Sequence, residues 1–75
     1  MMRLDEINVG DIVCSGIYGY KVLARDDEKG FVRVQTVCMF SDFSRKKVEC
    51  WYNGNIHFVE PKYFVCKYSP KVVIL

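Results

Sequence analysis

The side chains best suited to covalent chemistry are the single histidine, His57, and four cysteines. A cysteine nucleophile needs a base within hydrogen-bond reach, and Cys50 would face His57 if the chain between them formed a hairpin. The sequence offers no evident group to orient the histidine and no oxyanion hole for such a pair. We therefore expect no catalytic residue and no enzymatic activity, with a metal- or cysteine-dependent enzyme as the remote alternative.

Metal binding is also not indicated by the cysteine spacing. Cys14, Cys38, Cys50 and Cys66 are separated by 24, 12 and 16 positions. Structural zinc sites usually draw paired thiolates from C-x₂₋₄-C segments and hold them about 2.3 Å from the ion. We therefore predict no metal site and no cofactor. Each cysteine lies in an apolar or strand-like run, where a reduced thiol packs as a small hydrophobic side chain.

Aromatic and basic side chains cluster in the middle of the chain. Trp51 alternates with Glu49 and Lys47, which places it on a solvent-facing side of a strand. Aromatic faces bind cations, stack on bases or accept proline-rich peptides, and lysines beside them neutralise phosphates. The alternative is that most aromatics fill the core and the basic run is a solvated strand end. The predicted ligand-binding residues are Trp51, Tyr52, Phe43, Arg45, Lys46 and Lys47.

Length and composition describe one small globular domain. The 75 residues are 51% hydrophobic, which is enough for one compact core. The net charge of +2 is too small to indicate nucleic-acid binding by itself. The N-terminal residues lack the apolar segment of a secretory signal, and no run approaches a membrane span. We expect a cytoplasmic protein that does not associate with membranes.

Short runs of β-branched and aromatic residues, separated by turn-forming residues, predict an all-β domain. Tyr18, Tyr20 and Val22 alternate to one side of their run. Beyond Thr36 both sides of the third run are apolar, which indicates either burial on both faces or a bulge. We interpret residues 1–8 as a lead-in. The predicted elements are strands at 11–14, 18–25, 31–40, 48–52, 55–59 and 65–68, one 3₁₀ turn within 60–64, and a terminal strand at 71–75.

Two hairpins are expected. The charged segment Asp26–Gly30 ends in a glycine that can take a positive φ, and it joins the second run to the third. Asn53-Gly54, between two strand-like runs, indicates a type I′ hairpin. That turn would set Trp51 opposite Ile56 and bring Phe58 to the same face as Trp51. Tyr18, Tyr20 or Phe43 could then approach these aromatics from other parts of the fold.

The order of these elements resembles the SH3-like barrel group, which includes SH3, Tudor and KOW domains. Val9-Gly10-Asp11-Ile12-Val13 is similar to the opening of many KOW-like and Tudor-like barrels. The segment from Val48 to Asn55 is similar to the strand and aromatic-plus-glycine turn that Tudor domains use beside their ligand cage, and 59–64 fits the turn before the last barrel strand. The resemblance implies a single domain over 1–75, a small SH3-like barrel of five to six short antiparallel strands.

The leading functional hypothesis is a small non-catalytic binding module that contacts protein or nucleic acid through the aromatic and basic surface around 51–54. An alternative is a small viral or mobile-element interaction protein that binds and inhibits a host complex. In that class the apolar run 71–75 or the strand edges pair with another chain, and a homo-oligomer could form through the terminal strand.

Overall fold

The computed structural model describes residues 1–69 as six antiparallel strands in a curled half-barrel, with two isolated 3₁₀ turns. The strands are β1 (Ile12–Ser15), β2 (Tyr18–Asp26), β3 (Phe31–Phe40), β4 (Val48–Trp51), β5 (Ile56–Val59) and β6 (Cys66–Tyr68), and the turns are Leu4–Glu6 and Pro61–Tyr63. The expected all-β fold is confirmed, and the 3₁₀ turn expected within 60–64 is one of two. The expected terminal strand at 71–75 lies outside the described residues. No helix in the described part of the chain is long and apolar enough to cross a membrane.

The sheet is built around the long hairpin β2–β3. Its strand order is β4-β3-β2-β1-β6, and β5 also pairs with β3. The turn between β2 and β3 forms as expected, because Gly30 takes a φ of 74° and the Lys29 amide donates to the Asp26 carboxylate at 3.0 Å. The predicted bounds of β3 are confirmed, and β2 ends one residue later than expected.

A β-bulge in β3 explains why both sides of this strand are apolar near its end. Thr36 pairs with Tyr20 and Cys38 pairs with Gly19, so Val37 is an extra residue. Because Gly19 and Tyr20 are adjacent, they point to opposite faces of the sheet, and so do their partners Cys38 and Thr36. The bulged alternative of the sequence analysis is confirmed.

The two faces of the sheet carry separate hydrophobic clusters. One face, here called the valine face, buries Val13, Val22, Val32 and Val34 against Met2, Ile7 and Phe64. The other, the cysteine face, buries Cys14, Cys38 and Phe40, with Val48, Cys66 and Tyr68 packed beside them. The lead-in of residues 1–8 therefore supplies core side chains, and its amide at Met2 donates to the Phe64 carbonyl at 3.0 Å.

The predicted Asn53-Gly54 hairpin is wrong. β4 and β5 do not pair with each other; both pair antiparallel with β3, where they lie end to end along one edge. Residues 52–55 continue along β3 as an irregular segment, in which the Tyr52 amide donates to the Val37 carbonyl at 2.9 Å and the Gly54 amide to the Thr36 carbonyl at 2.7 Å. Neither Asn53 nor Gly54 has a positive φ.

The hairpin does not form because β4 and β5 gain more backbone hydrogen bonds and side-chain packing by pairing with β3 than they would by pairing with each other. A reversal at 53–54 would leave the β3 edge from Val32 to Gln35 without its partner. It would also remove Val59 from the valine face, where Val59 packs against the core. Long-range pairing therefore overrides the local turn preference of Asn-Gly.

Candidate ligand-binding site

The predicted aromatic residues do not form one surface. Trp51 lies opposite Cys38 and Phe58 lies opposite Arg33, so five positions of β3, roughly 15 Å, separate them. Trp51 is 55% exposed and its ring centroid lies 6.3 Å from that of Tyr68. The prediction of a solvent-accessible Trp51 is confirmed, but its aromatic neighbour is Tyr68 of β6, because the expected hairpin does not form.

The basic run lies in the loop that joins β3 to β4. Arg45 has a φ of 55° and donates from Nε to the Gly16 carbonyl at 2.7 Å, so its guanidinium fastens this loop to the turn between β1 and β2. Lys46, Lys47 and Phe43 are exposed. The six predicted site residues thus divide between this loop and the opposite end of β4, where Trp51 is the last residue of the strand and Tyr52 follows it.

The structure brings together a second set of aromatic residues, and Tyr52 is the one member of this set that was also predicted from the sequence as a ligand-binding residue. Tyr18, Tyr20, Tyr52 and His57 surround a concavity of about 270 Å³ whose floor is Thr36, Gly54 and Asn55. Tyr20 and His57 also line a second concavity of about 220 Å³, together with Ser15, Val34, Val59, Tyr63 and Phe64. The two concavities share a wall, and we call them together the tyrosine groove.

Strand pairing determines how the groove is built. Tyr20 pairs with Thr36, and His57 lies opposite Val34, so β2 and β5 present their rings across the width of β3 on the valine face. The Tyr20 ring meets the His57 ring edge-on at 6.2 Å and the Phe64 ring at 5.7 Å. These contacts fix the wall that the two concavities share.

Gly54 is required where the segment between β4 and β5 crosses the floor of the groove. A Cβ at this position would lie 2.8 Å from Cβ of Thr36 and 2.9 Å from its carbonyl oxygen. Glycine is therefore needed for close approach to β3 and not for a turn conformation. The same approach places Tyr52 next to the groove.

The groove is lined by polar and aromatic side chains. Within the described residues that line it there is no Asp, Glu, Lys or Arg. Burial raises the pKa of Tyr20, and the neighbouring phenols of Tyr52 and Tyr18 raise it further. Loss of solvation and the Tyr18 phenol likewise raise the pKa of Tyr52. The hydroxyls of Tyr20 and Tyr52 are therefore protonated at neutral pH and available as hydrogen-bond donors and acceptors.

A larger concavity of about 540 Å³ lies beside the turn between β2 and β3. It is bounded by Phe31, Phe58, Arg33 and the charged residues of the turn. The Arg33 guanidinium already lies 5.9 Å from the centre of the Phe58 ring, so the most exposed aromatic face here has a cation partner within the chain. This surface lacks the convergent rings of the tyrosine groove.

The side chains considered for catalysis are not brought together. Cys50 lies opposite Met39 and His57 opposite Val34, which places them roughly 15 Å apart along β3. No group of three His, Cys, Asp or Glu side chains among residues 1–69 could hold a metal ion.

No protein-family model, curated protein or solved structure matches this chain.

Proposed function

We propose that the protein is a small non-catalytic binding module that takes an extended peptide segment in the tyrosine groove. One observation carries the proposal: four tyrosines and His57 converge on two adjacent concavities whose lining includes no Asp, Glu, Lys or Arg. Tyrosine combines a flat apolar face with a polar hydroxyl, which suits it to binding at a surface that must also remain soluble.

The shape of the groove favours a peptide over a compact small molecule. The two concavities lie on either side of the Tyr20 and His57 rings, so a ligand that occupies both must extend across these rings. Proline-rich segments have an extended backbone that is ordered before binding, and aromatic-lined grooves are their usual partners. An SH3-like relationship, which the curled six-stranded sheet and the 3₁₀ turn before β6 support, belongs to the same proposal.

Nucleic acid is the second candidate ligand. Lys46, Lys47 and Phe43 are exposed in the β3–β4 loop, and the exposed Trp51 lies at the other end of β4. These residues could neutralise phosphates while an aromatic ring stacks on a base. Two observations weaken this candidate: Arg45 is held by the Gly16 carbonyl, and the tyrosine groove itself carries no cation.

The proposal is tested by selecting from a random dodecapeptide display library on the wild-type chain and measuring the affinity of the enriched peptides for two variants. Tyr52→Ala removes a groove ring that is 39% exposed, and Phe58→Ala removes one outside the groove that is 72% exposed. We expect the selected peptides to bind Tyr52→Ala at least about tenfold more weakly, because one buried aromatic contact is worth 1.4 kcal/mol or more. Binding to Phe58→Ala should be unchanged. Failure to enrich any peptide, or a larger loss with Phe58→Ala, would overturn the proposal.

The nucleic-acid candidate is tested on the same sample with a twelve-nucleotide oligothymidine at low and moderate salt. Peptide recognition in the groove predicts no oligonucleotide binding that depends on Lys46 and Lys47. Binding that weakens steeply with salt and falls in Lys46→Ala and Lys47→Ala would favour the second candidate.

A further inference from the structure

Cys14 and Cys66 are directly opposite each other on two neighbouring strands. They are register partners in the antiparallel pair β1–β6. Opposed residues of such a pair have Cα atoms about 4.5 to 5.5 Å apart, within the 4.4 to 6.8 Å range of disulfides. The other two cysteines have no such partner, because Cys38 is opposite Gly19 and Trp51 and Cys50 is opposite Met39.

The two side chains also lie on the same face of the sheet. Cys66 packs against the buried cluster of the cysteine face, which includes Cys14. Cys14 is fully buried and Cys66 is half-buried, so Cys66 is the one that an oxidant in solution reaches first. Burial, with a smaller contribution from Cys66, raises the pKa of the Cys14 thiol to about 12.

The strand that carries Cys66 has few other attachments. β6 has three residues and, within residues 1–69, pairs with β1 alone. Its Tyr68 packs against the Phe40 ring at 5.1 Å and the Trp51 ring at 6.3 Å. A covalent bond at Cys66 would therefore hold β6 in place and, through Tyr68, the exposed Trp51.

We propose that Cys14 and Cys66 form a reversible cross-strand disulfide that fastens β6 to β1. The proposal is independent of the function assigned to the tyrosine groove. It makes the cysteine pair a redox-modification site whose oxidant is a low-molecular-weight disulfide such as oxidised glutathione.

The reaction proceeds in two exchange steps. The Cys66 thiolate attacks one sulfur of oxidised glutathione, whose S–S bond breaks, and the leaving glutathione thiolate takes up a proton. Cys14 then loses its proton to solvent and attacks the Cys66 sulfur of the mixed disulfide, which releases the second glutathione. Two protein thiols are oxidised and one glutathione disulfide is reduced to two thiols. Because Cys14 ionises only at high pH, the second step should be slow at neutral pH and accelerate as the pH rises.

Tryptic mapping gives a direct test, since each of the four cysteines lies in a different tryptic peptide. The full chain is incubated with oxidised glutathione, blocked with an alkylating reagent and digested without reduction. We expect a linked pair of peptides containing Cys14 and Cys66, with Cys38 and Cys50 alkylated or carrying glutathione. The melting temperature should rise by about 10 °C on oxidation and return on reduction.

Two variants make the test decisive. Cys50→Ala, at an exposed position, should leave both the link and the temperature shift unchanged. Cys14→Ser should trap glutathione on Cys66; if this variant does not fold, Cys66→Ser should abolish both the link and the shift. The proposal is overturned if Cys14 and Cys66 are both recovered alkylated, if the link joins other cysteines, or if the link forms without a change in melting temperature.

Discussion

The hairpin β2–β3 and the segment β4–β5 both contain a glycine that follows polar residues, yet only the first reverses the chain. Between β2 and β3, Gly30 takes a positive φ and its amide bonds to the Asp26 carbonyl at 2.8 Å. Between β4 and β5, neither Asn53 nor Gly54 has a positive φ, and both flanking strands pair with β3. A turn sequence thus reverses the chain only where its flanking strands are each other's best partners.

The difference follows from strand length. β2 and β3 have nine and ten residues and pair along most of that length. β4 and β5 have four residues each, so a hairpin between them would offer few pairs. Continuing along β3 satisfies the same backbone groups and also adds Val59 to the core and His57 to the tyrosine groove.

The largest loss of stability is expected from a substitution at Gly54, between β4 and β5. Gly54→Ala should lower the free energy of unfolding by about 2 kcal/mol, because its Cβ would collide with Thr36 across the floor of the groove. Urea denaturation measures the change. The matched control is Asn53→Ala, which changes an exposed residue and should cost less than about 0.5 kcal/mol. A type I′ turn would instead make Asn53→Ala costly, and that result would show the segment to be a hairpin.

A smaller effect is expected at Gly30, where glycine is needed for conformation. Nothing lies within 4 Å of a Cβ built there, but the φ of 74° disfavours other residues. Gly30→Ala should cost about 1 kcal/mol, and Gly30→Asn less, because asparagine tolerates the left-handed region better. Equal costs for the two substitutions would contradict a conformational origin. Gly54 should show no such advantage of Asn over Ala.

The smallest change in stability is expected at Asp11, which directly precedes β1 and pairs with Lys67 of β6. Burial alone would raise the pKa of Asp11, but the Asn8 amide and the Lys67 ammonium outweigh it, so the pKa lies below its ordinary value. The folded state therefore favours the carboxylate, and the stabilisation is present above about pH 4 and lost as the pH falls through the folded-state pKa. Both partners of the Lys67–Asp11 pair are partly exposed, which limits its contribution to about 0.5 kcal/mol.

Asp11→Asn should therefore be less stable than the wild-type chain at pH 7 by that amount, and the two should converge near pH 2. Denaturant melts across this range measure the difference, with Asp5→Asn as the control at an exposed carboxylate near the N-terminus. A difference that persists at pH 2 would assign the effect to packing and not to charge.

Local patterns predicted those parts of the fold whose partners are near in sequence. The bounds of β3, the turn before Gly30 and the 3₁₀ turn at Pro61–Tyr63 follow from alternation, a positive-φ glycine and a proline at the start of a turn. The alternation of Tyr18, Tyr20 and Val22 was also informative, since Tyr18 and Tyr20 do line the groove together.

The site could not be predicted from the sequence because long-range register creates it. Tyr52 and His57 reach Tyr20 only because residues 52–57 follow β3, and the preference of Asn-Gly for a turn pointed the other way. Trp51 was the most conspicuous aromatic by type, but its position opposite Cys38 sets it beside Tyr68 and outside the groove. The signal that could have indicated the groove is the Tyr-Gly-Tyr spacing at the start of β2.

The most direct test of the tyrosine groove is an NMR titration of the ¹⁵N-labelled chain with the peptide that display selection enriches most. Peptide binding in the tyrosine groove predicts that amide shifts concentrate at residues 18–20, 36 and 52–57, and that they disappear in Tyr52→Ala but persist in Phe58→Ala. Shifts that concentrate instead at Phe31, Arg33 and Phe58, or in the loop from Asp42 to Lys47, would contradict it.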